Sequence, residues 1–121
     1  MSKTDQVAKV ALGHEGETRA SEYLEGLGWQ ILGRNIRVGQ GELDIVALDP
    51  QYNEVVFVEV KTRRDSESGD PAEAVDQRKL QAQVTAGSEY MQREKRGEDY
   101  RFDIIAVTPT TLEHFENITF P

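Results

Sequence analysis

The chain has no cysteine, which excludes disulfides and thiolate-held metals. It has only two histidines, His14 and His114, and neither has partners spaced for an imidazole site. Any metal is therefore expected on oxygen ligands and hard, Mg2+ or Mn2+. Positive charge is short as well: 14 Lys and Arg against 22 Asp and Glu leave a net charge of −8. That balance argues against a protein that coats nucleic acid by neutralising its phosphates, while leaving room for a local basic patch. No apolar run approaches the length needed to span a bilayer, and the first residues, Met1 to Gln6, lack the apolar core of a signal peptide. A cytoplasmic protein is the expectation. There is no internal repeat and no low-complexity tract. At 121 residues the chain is one domain's worth, 1–121, with one site expected.

Residues 7–27 read as a helix, with Gly13, Ala20, Leu24 and Leu27 on one face and Gly28 just past its end. Glu17 falls on that same apolar stripe, whereas Glu15, Glu22 and Glu25 lie on or towards the polar side. Residues 29–37 read as a first strand, Val38-Gly39-Gln40-Gly41 as a tight turn, 43–48 as a second strand and 54–61 as a third. The third strand is the anomaly. Its run Val55-Val56-Phe57-Val58 reads as buried, yet it closes on Glu59-Val60-Lys61, and side-chain alternation puts Glu59 and Lys61 on the face of Phe57. Pairing Asp49 with Glu54 across the loop between these strands sets Asp44 opposite Glu59 and Glu42 opposite Lys61. Two directly opposed carboxylates repel unless a cation lies between them.

Asp70-Pro71-Ala72-Glu73 has the form of a helix start, with Asp70 as N-cap, Pro71 in the first turn and Glu73 completing a capping box. The helix should run to about Arg96 and stop at Gly97, with Val75, Leu80, Val84, Ala86, Tyr90 and Met91 on a broad apolar stripe and Lys79 at its edge. Residues 102–107 read as a strand which, after a helical crossover, should lie parallel to the third. Residues 118–120 add a short edge strand. The expected fold is α/β, a mixed sheet with helices packed on it.

Asp44, Glu59 and Lys61 form one cluster if the hairpin register holds, and Glu17 joins it if the first helix packs near the strand ends. Carboxylates supply oxygen ligands for Mg2+, and a lysine beside them can orient a water or offset charge on a phosphate. Phosphodiester hydrolysis needs these residue types. The competing reading is structural: Glu42 and Lys61 as a cross-strand ion pair, and Glu17 as a carboxylate snorkelling at a helix edge.

The segments Gly41-Glu42-Leu43-Asp44-Ile45-Val46-Ala47, Val56-Phe57-Val58-Glu59-Val60-Lys61-Thr62-Arg63, Ala74-Val75 through Lys79, and Arg101-Phe102-Asp103 together closely resemble the YraN-like family of uncharacterised bacterial proteins. That family is similar to members of the PD-(D/E)xK, restriction-endonuclease-like nuclease superfamily. The resemblance runs from Gly16-Glu17 to Phe120 and implies a restriction-endonuclease-like mixed β-sheet core in the order α-β-β-β-α-β. It implies metal ligation by Asp44 and Glu59, catalysis with Lys61, and a helical acid at Glu17 as in resolvase-like members. The leading proline of the motif is replaced by Leu43. The implied activity is Mg2+- or Mn2+-dependent cleavage of DNA, with branched or structured DNA as the favoured class for a small acidic protein. Lys79, Arg63 and Arg37, with Arg34, Arg64 and Arg78, are candidate phosphate contacts, and a homodimer would supply the two sites that two nicks in a duplex require. The alternatives are a non-catalytic nucleic-acid-binding module of the same fold, acting within a DNA-processing complex, and a protein-interaction domain with a structural charge cluster.

Overall fold

The computed structural model describes residues 3–63 and 77–118. In chain order they form α1 (Lys3–Gly26), β1 (Gln30–Val38), β2 (Gly41–Asp49), β3 (Glu54–Thr62), α2 (Gln77–Arg93), β4 (Asp99–Val107) and β5 (Leu112–Phe115). The strands make one sheet in the order β1-β2-β3-β4-β5. All neighbours are antiparallel except β3 and β4, which run parallel across the α2 crossover. This is a mixed α/β fold, as the sequence pattern implies. Neither described helix is long and apolar enough to cross a membrane.

Both faces of the central strands are covered, which explains why β3 reads as an unbroken apolar run rather than an alternation. Val56 and Val58 join Ile45, Ala47, Ile105 and Val107 under Ala20 and Leu24 of α1. Val55 and Phe57 join Val46 and Leu43 under Ala86, Tyr90 and Met91 of α2. Glu59 continues the Phe57 side, so a carboxylate is carried beneath α2, only 5% exposed. Burial of this kind requires partners.

The helix ends are set by left-handed residues. Gly28 (φ +88°) closes α1, with its N–H donating to the Glu25 carbonyl and that of Trp29 to the Leu24 carbonyl, the Schellman pattern. The same pattern ends α2 earlier than Gly97. Lys95 takes φ +52°, and the Arg96 N–H reaches back to the Met91 carbonyl. The helix therefore stops at Arg93 because a lysine accepts the conformation expected of the glycine two residues on.

One sequence expectation is corrected and another lies partly outside the described residues. The strand beside β4 at the edge of the sheet is β5, built on a tight turn in which Thr108 Oγ1 accepts from the main-chain N–H groups of Thr110 and Thr111. Ile118 lies outside any strand, although its N–H donates to the Phe102 carbonyl at 2.7 Å; 119 and 120 are outside the described residues. Glu42 does not face Lys61. It pairs with Arg37 of β1, while Lys61 lies beside Ala106 of β4. The cause is divergence of the strands: the β2–β3 ladder holds the expected register from Asp49 and Glu54 to Ile45 and Val58 and ends there. The capping box Asp70-Pro71-Ala72-Glu73, Val75 and Arg64 fall outside the described residues.

Candidate active site

Where the β2–β3 ladder ends, a side chain takes over from the main chain. Asp44 Oδ2 accepts the Val60 N–H at 2.9 Å, tying β2 to β3 beyond their last paired residues. Asp44 and Glu59 are thereby held close enough for each charge to act on the other. Glu59 is fully engaged. Lys79 Nζ lies 2.6 Å and Lys61 Nζ 3.4 Å from its Oε1, and the Gln83 amide donates to Oε2. Lys79 and Gln83 are one turn apart on α2, so one face of the helix delivers both.

The electrostatics of the two carboxylates diverge. Burial works against the charge of Glu59, but the hydrogen bond and charge of Lys79, helped by Gln83 and Lys61, hold its carboxyl below the usual range. Burial and then the Glu59 charge push Asp44 up to about 7, against the Val60 N–H, which favours the charged form. Glu17 adds to that push. Burial disfavours the ammonium of Lys79 as well, yet Glu59 and Asp44 raise its pKa. The cations are thus committed to Glu59, and Asp44 carries the unrelieved part of the negative field.

Glu17 is brought to the rim of this cluster from α1. Gly16 makes that approach possible: a Cβ there would collide with the Thr62 side chain at the end of β3. Glu17 Oε2 accepts from Asn35 Nδ2 at 3.0 Å and lies 3.7 Å from an Arg34 guanidinium nitrogen. Its carboxylate is bonded to β1, and it acts on Asp44 through its charge. Asn35 occupies φ +51° and falls between Arg34, opposite Ile45, and Ile36, opposite Leu43, which places it across from Asp44. Arg37 is exposed beside Glu42, and Arg63 is half-buried just past β3, its N–H donating to the Val107 carbonyl.

Sequence reasoning missed Gln83 and Asn35. Gln83 is 6% exposed in the middle of the α2 stripe, so a glutamine one turn from Lys79 on an apolar face was an available signal. Asn35 offered only the tolerance of asparagine for left-handed backbone.

The site lies at one end of the sheet and faces a small recess lined by Leu43, Asp44, Phe57, Glu59, Leu80 and Gln83. Its donors fit a hard divalent cation: two neighbouring carboxylates, one of them with only a main-chain N–H for a hydrogen-bond donor. Among the described residues no three His, Cys, Asp or Glu side chains gather into a metal site. Mg2+ commonly takes one or two carboxylates and completes its shell with water and substrate oxygens.

The model of the family described as "Uncharacterised protein family UPF0102" matches residues 16–107. The chain belongs to the UPF0102 family. The matched span opens at Gly16, beside Glu17, and contains Asp44, Glu59, Lys61, Lys79 and Gln83; it closes at the end of β4, before His114. A UPF0102 protein of Phocaeicola vulgatus is 39% identical over 114 residues, covering 90% of this chain and 92% of its own. One from Chloroherpeton thalassium is 42% identical over 99 residues, covering 81% and 75%. One from Thermodesulfovibrio yellowstonii is 37% identical over 114 residues, covering 94% and 100%.

Proposed function

We propose that this UPF0102 protein is a Mg2+- or Mn2+-dependent endonuclease that hydrolyses phosphodiester bonds of branched or otherwise structured DNA. The observation that supports it best is the adjacency of Asp44 and Glu59 with Lys61 and Lys79, an arrangement in which one carboxyl is pushed to about 7 by burial and its acidic neighbour. A protein gains nothing structurally from that push. A hard cation bound there supplies a more acidic water and offsets phosphate charge. Asp44 and Glu59 would hold it, and the α-β-β-β-α-β order agrees with the restriction-endonuclease-like core that the sequence resemblance implies.

The chain's own residues take the remaining roles. Lys61, fixed to the strand that carries Glu59, presents an ammonium to the reacting phosphate or its attacking water. Val60 N–H orients Asp44, and Gln83 orients Glu59. Glu17, held by Asn35, is a second acid at the rim. Arg37, Arg63 and Lys79 position the backbone of the nucleic acid without reading sequence. A net charge of −8 favours recognition of a local shape over wrapping of long duplex.

The test is incubation with Mg2+ or Mn2+ and a panel of linear duplex, single-stranded, flap and four-way-junction DNA, beside Asp44→Ala and Lys61→Ala. Cleavage reduced by roughly 10²-fold or more in both variants is expected. Cleavage that survives both variants would sink the assignment, and tight junction binding without cleavage would move it to a non-catalytic nucleic-acid-binding module. Mn2+ should also raise the melting temperature of the wild type and leave that of Asp44→Ala unchanged.

A further inference from the structure

Two ammonium groups share one oxygen of Glu59. Lys79 Nζ is 2.6 Å and Lys61 Nζ 3.4 Å from Oε1, and Gln83 occupies Oε2. With Asp44 beside Glu59, two acids face two lysines. The cluster is closed to a further cation as it stands, because a divalent ion on Glu59 would meet ammonium charge at contact distance. One lysine has to leave.

The surroundings decide which. Lys61 follows Glu59 by two residues on β3, and its side chain is 21% exposed. Lys79 reaches in from α2, its side chain is 52% exposed, and its charge sits on a flexible four-carbon stem. Lys79 is the more exposed of the two, so its ammonium can swing into solvent and open Oε1 without moving the sheet.

We propose that Lys79 is an exchangeable counter-ion, holding Glu59 when no divalent cation is bound, giving up Oε1 when the cation binds Asp44 and Glu59, and thereby becoming available to a phosphate of the nucleic acid. The inference rests on the nuclease reading above. Cation and nucleic acid are then coupled through one side chain, and each promotes binding of the other, as linkage requires. The resting protein keeps Glu59 neutralised and offers the phosphate-binding lysine only when the metal is in place. Lys79 acts here as a positioning and coupling residue, while Lys61 stays with the reacting phosphate.

Mn2+ titration of the wild type, Lys79→Met and Asp44→Asn, followed by the electron-spin signal of free Mn2+, tests the exchange. Lys79→Met should bind Mn2+ roughly tenfold more tightly than the wild type, since a competing positive charge is gone. Asp44→Asn should lose the site. In parallel, binding of a four-way DNA junction is measured with and without Ca2+. Lys79→Met should weaken that binding only when Ca2+ is present, because without it the lysine is occupied by Glu59. Unchanged Mn2+ affinity in Lys79→Met, or an equal loss of junction binding with and without Ca2+, overturns the exchange and leaves the nuclease reading intact. Failure of the wild type to bind Mn2+, or Mn2+ binding indifferent to Asp44→Asn, overturns both.

Discussion

Asp44, half-buried, and Asp103, buried, are aspartates of one sheet, and they are treated in opposite ways. Asp103, with no exposed side-chain surface, accepts from Arg101 Nε at 3.0 Å, His114 Nε2 at 2.7 Å and the Asn117 N–H at 2.9 Å. Burial would raise its pKa, but these donors overcome the penalty and hold the carboxyl low. Arg101 is itself shared with Glu54 and stacks over Trp29. With Asp103 ionised, His114 donates from Nε2, and its Nδ1 is hydrogen-bonded to the Tyr23 hydroxyl at 3.1 Å. Asp44 has a single main-chain donor and a second carboxylate for a neighbour. The first region ties β5, β4 and α1 together with its charges satisfied. The second leaves the Asp44 carboxyl with one donor beside a like charge, and it is on that difference that the proposed metal site rests.

The largest effect should come from breaking the satisfied side. Asp103→Ala leaves the Arg101 guanidinium, only 11% exposed, to Glu54 and Asp49 alone and removes the acceptor for His114. A loss of about 3–5 kcal/mol in urea denaturation is expected, the usual cost of removing one partner of a buried pair. A loss below about 1 kcal/mol would mean that Glu54 and Asp49 suffice for Arg101, and the contrast with Asp44 would fail. That change falls on stability, whereas under the proposed nuclease reading Asp44→Ala falls on cleavage.

The two aspartates should also give opposite pH dependence. Asp44 titrates at about 7 in the folded protein and near 4 when unfolded, so its contribution is full below about pH 4 and is lost as pH rises through 7. Asp103 has a lowered folded pKa, so its contribution is present above about pH 4 and is lost as pH falls through the folded value. Asp44→Asn keeps an oxygen for the Val60 N–H and removes the charge. At pH 8, without divalent metal, it should be more stable than the wild type by on the order of 2 kcal/mol, with the gain shrinking towards pH 5. A variant less stable at pH 8 would show that the Asp44 charge is compensated after all. Stabilisation on deleting Asp44's charge is what a trade between stability and the proposed activity predicts.

How much of this could be read beforehand depended on how local each cause is. Glu59 and Lys61 stood out because a strand covered on both faces leaves no ordinary place for charge. The loop between Asp49 and Glu54 then fixed the register, and the ladder follows it as far as Ile45 and Val58. The ladder's end did not show, because divergence of β2 from β3 is a property of the twisted sheet rather than of either strand. The Asp103 network was hidden for a different reason. Its Tyr23–His114 hydrogen bond spans 91 positions, and the four residues of β5, Leu112-Glu113-His114-Phe115, carry too little alternation to mark a strand. Arg101-Phe102-Asp103 was visible as a motif, but its partner histidine is outside the span that the family model matches.

The smallest expected effect probes the rim, where Asn35 pays for its hydrogen bond to Glu17 with a left-handed backbone at φ +51°. Asn35→Ala keeps the strain and loses the bond, so a loss of about 1–2 kcal/mol is expected. Asn35→Gly loses the bond but relieves the backbone, and its stability should stay within about 0.5 kcal/mol of the wild type. The two variants therefore separate backbone strain from side-chain attachment. Both free Glu17 from Asn35 alike, so any change in Mn2+ affinity should be the same in the two, whatever their stabilities. Affinity that instead tracks stability would mean that Asn35 acts through the shape of β1, and that the rim belongs with the Asp103 network as structure rather than with Asp44 as a site.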